Sequence, residues 1–388
     1  MELVASSVFV LFATDSAFAV VLVNFARSAP MILVGAFVGA LAERVDRKKL
    51  LIVGAAVLSV STLVLGVLAA HDEIKLWHLL VGGFVNGVVF SSEFPVRRSL
   101  LGEYAGMDRI GAGMGLDSFT RNATRVIGPA LGGVFLQFVG LDGAFFTAAA
   151  VYVVTIALMW HLSPRPTPAA TAGPNMLTAV VDGFRYARRD RLIFWFLTVT
   201  VIMNLFAFPY QATVPVIARE VLRLEPFPIS LLVAAEGAGA MLGSLAIALW
   251  DRPRRYVAIY TGGAALFMIA ILGFASSPWY GLSLAIVFVG GLGIAGFTTL
   301  QGTLPFLLAP PEIRGRIMGV LSVCIGVGPI GYLHLGLLTE LWGAPVATMV
   351  IAVEALIALA LATFFLMHPA LRIRAGTGDS PPPSNRHP

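Results

Sequence analysis

Asp117, Arg121 and Arg125 follow one another at intervals of four residues inside the stretch "IGAGMGLDSFTRNATRVIGPALGG". On an α-helix that spacing puts all three on one face, with Asp117 able to pair with Arg121. Glu93 and Arg97 repeat the spacing in "FSSEFPVRRSL". Glu236 in "LLVAAEGAGAML" and Glu354 in "MVIAVEALIALA" have no cation within one helical turn along the sequence. A carboxylate in apolar surroundings is stabilised by shedding its charge, so such a group can take up and release a proton. Glu236 is the first candidate for that chemistry, with Asp117 and Glu354 beside it, while Arg121 and Arg125 are candidates to line a cavity. His334 can titrate too, although a single histidine is more often a polar contact.

These groups need elements that hold them at depth in an apolar medium. Of the 388 residues, 58% are hydrophobic and only 12% charged. Apolar runs recur near residues 2–12, 17–42, 50–70, 77–96, 110–138, 141–161, 192–217, 228–250, 256–276, 279–307, 315–339 and 345–367. Most reach the roughly 20 residues that a helix needs to cross a bilayer. In hydrocarbon only helices and closed barrels satisfy every backbone polar group, and the ten-residue alternation of a barrel strand is absent. The reading is an all-α polytopic membrane protein of twelve helices, the first one short. That first run offers too few residues before Asp15 to span about 30 Å of hydrocarbon, so a late-called start or a truncation is expected; it has no basic lead-in or cleavage site of a signal peptide.

Lysine and arginine concentrate in every second loop, which holds twenty of the 26. The opposite loops hold Lys75, Arg219 and Arg223, and Arg27, Arg121 and Arg125 lie within runs. Cation-rich short loops stay on the cytoplasmic side, so both termini are expected there. The net charge of +5 follows from this asymmetry and gives no reason to invoke nucleic acid. A single cysteine, Cys324, excludes an intrachain disulfide and a cysteine metal cluster, and no metal site is expected.

Six runs precede and six follow "SPRPTPAATAGPN", whose four prolines suit an extended linker. The expected organisation is a first six-helix bundle over 1–162, a cytoplasmic linker over 163–191, a second bundle over 192–370 and a disordered tail over 371–388. Within the linker, "MLTAVVDGFRYARRDRL" reads as an amphipathic helix at the membrane surface, Leu177, Val181 and Phe184 on one face and Arg185, Arg188 and Arg189 on another. The halves echo each other: "GALAERVDRKK" at Gly39 aligns with "GSLAIALWDRPRR" at Gly243, and "GPALGG" at Gly128 with "GPIGY" at Gly328. Parallel six-helix repeats are a recurrent design of secondary transporters. In the second pair, Gly128 and Pro129, with Gly132 and Gly133 following, match Gly328 and Pro329. Proline removes a backbone hydrogen bond and permits bending, so both sites are hinge candidates; glycines for tight packing are an equal reading.

"GALAERVDRKK" resembles the signature loop of the major facilitator superfamily, "RVIGPALGG" resembles the helix-five signature of its exporters, and "FSSEFPVRRSLLGEY" onward resembles the branch with the enterobactin exporter and macrolide efflux proteins. Glu43 stands where Asp is usual, Asp46 and Thr124 where Gly is usual, and the mid-helix-four arginine of drug/proton antiporters is missing. The resemblance implies a two-bundle major facilitator fold and transport by alternating access. It implies a cytoplasmic latch in which Gly39, Glu43, Arg44, Asp46 and Arg47 meet the start of helix eleven at Arg316. There the Glu43 carboxylate would be stabilised by unpaired N–H groups and the helix dipole. Glu93 and Arg97 add to that gate, whose plainer alternative is topological anchoring. Phe206, Tyr210 and Gln211 in run seven and Gln301 in run ten, together with Phe208 and Phe297, are candidates to line the cavity. Helix twelve is peripheral in this fold, so Glu354 is also expected to meet a neighbour or lipid headgroups.

No phosphate-binding loop, metalloprotease helix or nucleophile elbow occurs, so neither ATP nor an enzymatic reaction within this chain is expected to supply energy. The expectation is proton-coupled export of a small amphipathic compound, without cofactor, by a monomer in the inner membrane. An uptake facilitator and a lipid-handling membrane protein on the same scaffold are the alternatives.

Overall fold

The computed structural model describes residues 2–33, 46–105, 110–161, 176–249, 255–310 and 313–367. Gly39, Glu43 and Arg44, residues 162–175 and the tail from 368 lie outside the described residues. Among the described residues all regular structure is helical. The helices are α1 (Glu2–Thr14), α2 (Ala17–Ser28), α3 (Pro30–Leu33), α4 (Arg47–Ala70), α5 (Leu76–Ala105), α6 (Ile110–Phe138), α7 (Leu141–Trp160), α8 (Met176–Ala187), α9 (Arg191–Ile202), α10 (Val214–Glu220), α11 (Pro226–Leu249), α12 (Tyr256–Ala275), α13 (Tyr280–Leu308), α14 (Arg314–Ile325) and α15 (Gly328–Ala362). Seven described segments are long and apolar enough to cross a membrane, and α1, α2 and the first half of α5 are shorter apolar helices.

Local chemistry sets the helix ends. Asp46 caps α4, its Oδ1 accepting from the backbone N–H of Lys48 at 2.9 Å and Lys49 at 3.2 Å. Asp190 caps α9 in the same way through Leu192 and Ile193. Each carboxylate satisfies orphan donors and sits at the positive end of the helix dipole. Asp46, placed in the latch by the sequence, thus has a structural task of its own. α15 reverses direction at Gly343, where φ is 78° and ψ 162°. Such a backbone suits glycine, and Pro345 starts the return helix. The two last expected runs are therefore separated there.

Among the described residues the second run is interrupted at Ala29, between α2 and α3, and two further runs are broken. The seventh passes from α9 through a π turn (Met203–Ala207) and a 3₁₀ turn (Phe208–Ala212) into α10. Pro209 has no N–H to give to the turn before it, and its ring crowds the carbonyl four residues back, so the ladder shifts. The eleventh run breaks between Ile325 and Gly328. Gly328 and Pro329, expected in mid-helix, instead open α15, where the missing N–H of a proline is harmless. Pro129, by contrast, lies inside an uninterrupted α6.

Trp195, Phe196, Tyr260, Phe267, Phe274 and Phe297 are fully buried. Tyr260 stacks on Phe297 at 5.0 Å between centroids, and Phe208 meets Phe267 and Phe297 edge-on or tilted near 6 Å. Phe208 and Phe297, expected to line a cavity, belong to this core. Aromatic packing holds the 3₁₀ turn rigidly against α12 and α13. The outer faces are apolar, with Leu249 76% and Leu341 71% exposed, as suits a surface solvated by lipid tails.

Candidate functional site

The broken seventh run carries Tyr210 and Gln211 on its 3₁₀ turn, opposite Glu236 of α11. Glu236 is 5% exposed and receives three donors. The Tyr210 hydroxyl donates to Oε2. Gln211 Nε2 donates to Oε1 at 3.3 Å, and Arg125 Nη2 of α6 reaches the same oxygen at 3.1 Å. Glu236, without a cation near it in sequence, is thus paired across 111 positions with Arg125.

The pair is possible because α6 and α11 touch backbone to backbone. A Cβ on Gly237 would stand 2.6 Å from the Arg125 carbonyl oxygen, and one on Gly133 would stand 2.4 Å from Ser230 Cβ. Neither fits without separating the helices. Gly133 of the "GPALGG" stretch therefore serves packing here. At the far end of the same contact the Phe227 N–H donates to Gln137 Oε1 at 2.9 Å. Arg121 lies one turn before Arg125 with its Nε buried. The side chain of Asp117 is outside the described residues, so its pairing with Arg121 is too.

Other candidates lie elsewhere. His334 Nε2 meets Glu354 Oε2 at 2.8 Å, and Phe206 sits edge-on to the imidazole at 6.1 Å. Each member of the pair thus has a polar neighbour, as the plainer reading of both residues expected, and Phe206 belongs with them. Gln301 lies two residues past Thr299, whose hydroxyl bonds Ser244, two turns along α11 from Glu236. Its Nε2 is buried with no partner among the described residues. Glu93 and Arg97 form an ion pair at 3.8 Å. Arg316 pairs at 3.7 Å with Asp182 of the linker helix.

Three contacts have no forerunner in the sequence reading. Asn86 donates to Glu2 at 3.2 Å, beside a cavity of about 30 Å³ lined by Arg27, Ser61 and Thr62 as well. That is room for a water or two in a polar setting. Arg219 binds Asp15 at 2.9 Å and the Leu11 carbonyl at 2.5 Å, and lies 4.3 Å over the Phe12 ring. Asp182 also pairs with Arg185 at 3.3 Å. A signal for the second existed: an arginine in a cation-poor loop is unexpected on orientation grounds and calls for a carboxylate from a loop on the same side.

The chemical capability of the central cluster is conditional attraction. While Glu236 is charged, Arg125 draws α6 toward α11 and the 3₁₀ turn. The strength of that attraction rests on both charges, since Tyr210 and Gln211 are neutral donors.

Family and fold match known proteins. A family model described as "Transmembrane secretion effector", of the major facilitator superfamily, matches residues 1–384. The "Staphyloferrin A transporter" of Staphylococcus aureus is 24% identical over 83% of this chain and 81% of that protein. "Macrolide efflux protein A" of Streptococcus pyogenes is 19% identical over 84% of this chain and 82% of its own length. The crystal structure of a bacterial homologue of the human lysosomal transporter Spinster, inward-facing and unoccupied, superposes with a TM-score of 0.70 at 15% identity, covering 98% of this chain and 96% of the other.

Proposed function

The chain belongs to the transmembrane secretion effector family of the major facilitator superfamily, whose members are transporters and not enzymes, and from that premise we propose a proton-coupled exporter of a small amphipathic compound, a drug or siderophore. It works by alternating access in the inner membrane, with both termini cytoplasmic. Residues 1–162 and 192–370 are its two six-helix halves, joined by the linker over 163–191. The α6–α11 and α2–α15 contacts form the seam between the halves. Export is favoured by the relatives named for efflux of macrolides.

One observation carries the reading: the ion pair of Arg125 with Glu236 spans the seam, one partner from each half. With Glu236 ionised, Arg125, Tyr210 and Gln211 converge on it and α6 is held to α11. A proton reaching a Glu236 oxygen cancels the attraction, and Arg125, a third exposed, turns to water or substrate. The seam then loosens, and the halves rock about the breaks at Met203–Ala212 and Ile325–Gly328. Substrate leaves on the side from which the proton came, and loss of the proton to the cytoplasm restores the pair.

Gates act at the two ends. On the outer side Arg219 ties α10 to α1, and Gln137 ties α6 to the start of α11. On the cytoplasmic side, Gly39, Glu43, Arg44, Asp46, Arg47, Glu93, Arg97 and Arg316 close the path in the opposite state. No cofactor takes part beyond the proton gradient, and the monomer is the working unit. Purified protein in liposomes, given a proton gradient and a panel of lipophilic cations, macrolides and siderophores, tests this. Gradient-driven accumulation of a panel member, lost with a protonophore, is expected; accumulation that ignores the gradient for every transported member overturns proton coupling.

A further inference from the structure

The linker helix α8 departs from the expected two-faced pattern. Val181, Phe184, Arg185, Arg188 and Arg189 are all exposed and share one side. Their spacing explains it, since steps of three and four residues return to the same face of a helix. The arginines therefore interleave with the apolar side chains and do not have a face of their own. The opposite side is docked: Ala187 is fully buried, and a Cβ on Gly183 would stand 2.6 Å from the Arg316 carbonyl oxygen. α8 thus lies flat on α14.

The outward side forms a shallow groove of about 350 Å³ lined by those five residues. Val181 is 54% and Phe184 48% exposed, and Arg188 stands 5.9 Å over the Phe184 ring. Three guanidinium groups and two apolar side chains face out together, and no carboxylate is among the lining residues. Asp182, at the edge of the groove, pairs with both Arg185 and Arg316.

We propose that this groove seats an anionic phospholipid of the inner leaflet. The guanidinium groups take the phosphate, and Val181 and Phe184 take the glycerol and upper acyl region. Two features argue for a lipid over a soluble anion: the apolar pair would gain nothing from free phosphate, and the cytoplasmic side proposed above puts α8 at the headgroup level. Phosphate at Arg185 competes with Asp182 for that guanidinium, leaving the Asp182 carboxylate to Arg316. The lipid therefore fastens α8 to α14 and tightens the start of the eleventh span.

Native mass spectrometry of the full chain, released from nanodiscs of mixed phosphatidylglycerol and phosphatidylcholine, tests the site. One retained phosphatidylglycerol is expected, lost at least tenfold in Arg185→Gln/Arg188→Gln/Arg189→Gln and weakened in Val181→Ser/Phe184→Ser. The thermal midpoint should rise with phosphatidylglycerol in the unaltered chain and not in the triple variant, whose own midpoint in phosphatidylcholine checks its fold. Equal retention by both chains overturns the proposal, as does displacement of the lipid by millimolar inorganic phosphate, which would mark a soluble-anion site. The lipid readout is independent of transport, so failure of proton coupling would leave it standing.

Discussion

Removing one partner of the Arg125–Glu236 pair should have unequal consequences on the two sides. At 3.1 Å, the gross attraction is about 5 kcal/mol for an effective dielectric constant near 20. The Glu236 side chain is 6% exposed and that of Arg125 34%, so their alternatives differ. In Arg125→Gln the carboxylate stays buried and uncompensated, a loss of roughly 3–5 kcal/mol. Tyr210 and Gln211 still donate to it, which keeps the figure at the lower end. In Glu236→Gln the guanidinium can turn toward its accessible side and be hydrated, and the amide oxygen can still accept from Tyr210, so the loss should be about 1–2 kcal/mol. The double variant holds neither charge and should be more stable than Arg125→Gln alone. Thermal unfolding in detergent at a single pH reads all four proteins. If Glu236→Gln is the more damaging change, or if the single effects simply add, the two groups do not act as a buried pair.

Smaller perturbations probe the rest of the framework. Asp46→Ala removes the cap of α4 and should cost about 1 kcal/mol; a midpoint unchanged in the purified variant would leave Asp46 to the latch alone. Gly237→Val forces a branched side chain into the Arg125 backbone and should destabilise by about 1–3 kcal/mol, with separation of spin labels placed on α6 and α11 as the direct check. At the contact of α10 with α1, Asp15 is 88% exposed, so Asp15→Asn should change little, a surface pair contributing less than about 1 kcal/mol. Arg219→Gln also abandons the Leu11 carbonyl and the Phe12 ring, and labels on α1 and α10 should move apart; equal effects of the two substitutions would contradict the assigned contacts.

Element type was legible because the bilayer leaves few choices: long uncharged runs such as Leu50 to Ala70 have to be helical. Helix breaks were legible only in part. Pro209 and Pro329 both follow apolar stretches, yet Pro129 sits within a continuous helix, since neighbouring helices can absorb a proline's lost hydrogen bond at one site and not at another. The site residues Tyr210, Gln211, Glu236 and Arg125 could each be named from type and depth. Their convergence could not, because it depends on the close approach that Gly237 and Gly133 permit between runs far apart in sequence. His334 and Glu354 show the same limit, each solitary in sequence and partnered across the Gly343 reversal. For α8 the spacing of Val181, Phe184, Arg185, Arg188 and Arg189 already puts all five on one side of a helix; what the sequence lacked was the docking on α14 through Gly183 that turns this side outward.

The most direct test of the central claim compares Glu236→Gln with the unaltered chain in liposomes by two assays on one transported compound: exchange of labelled for unlabelled substrate without a gradient, and accumulation driven by a proton gradient. A carboxylate that carries the coupling proton predicts that the variant keeps exchange and loses accumulation. Accumulation at the unaltered rate would contradict it and move the coupling away from the Arg125–Glu236 pair.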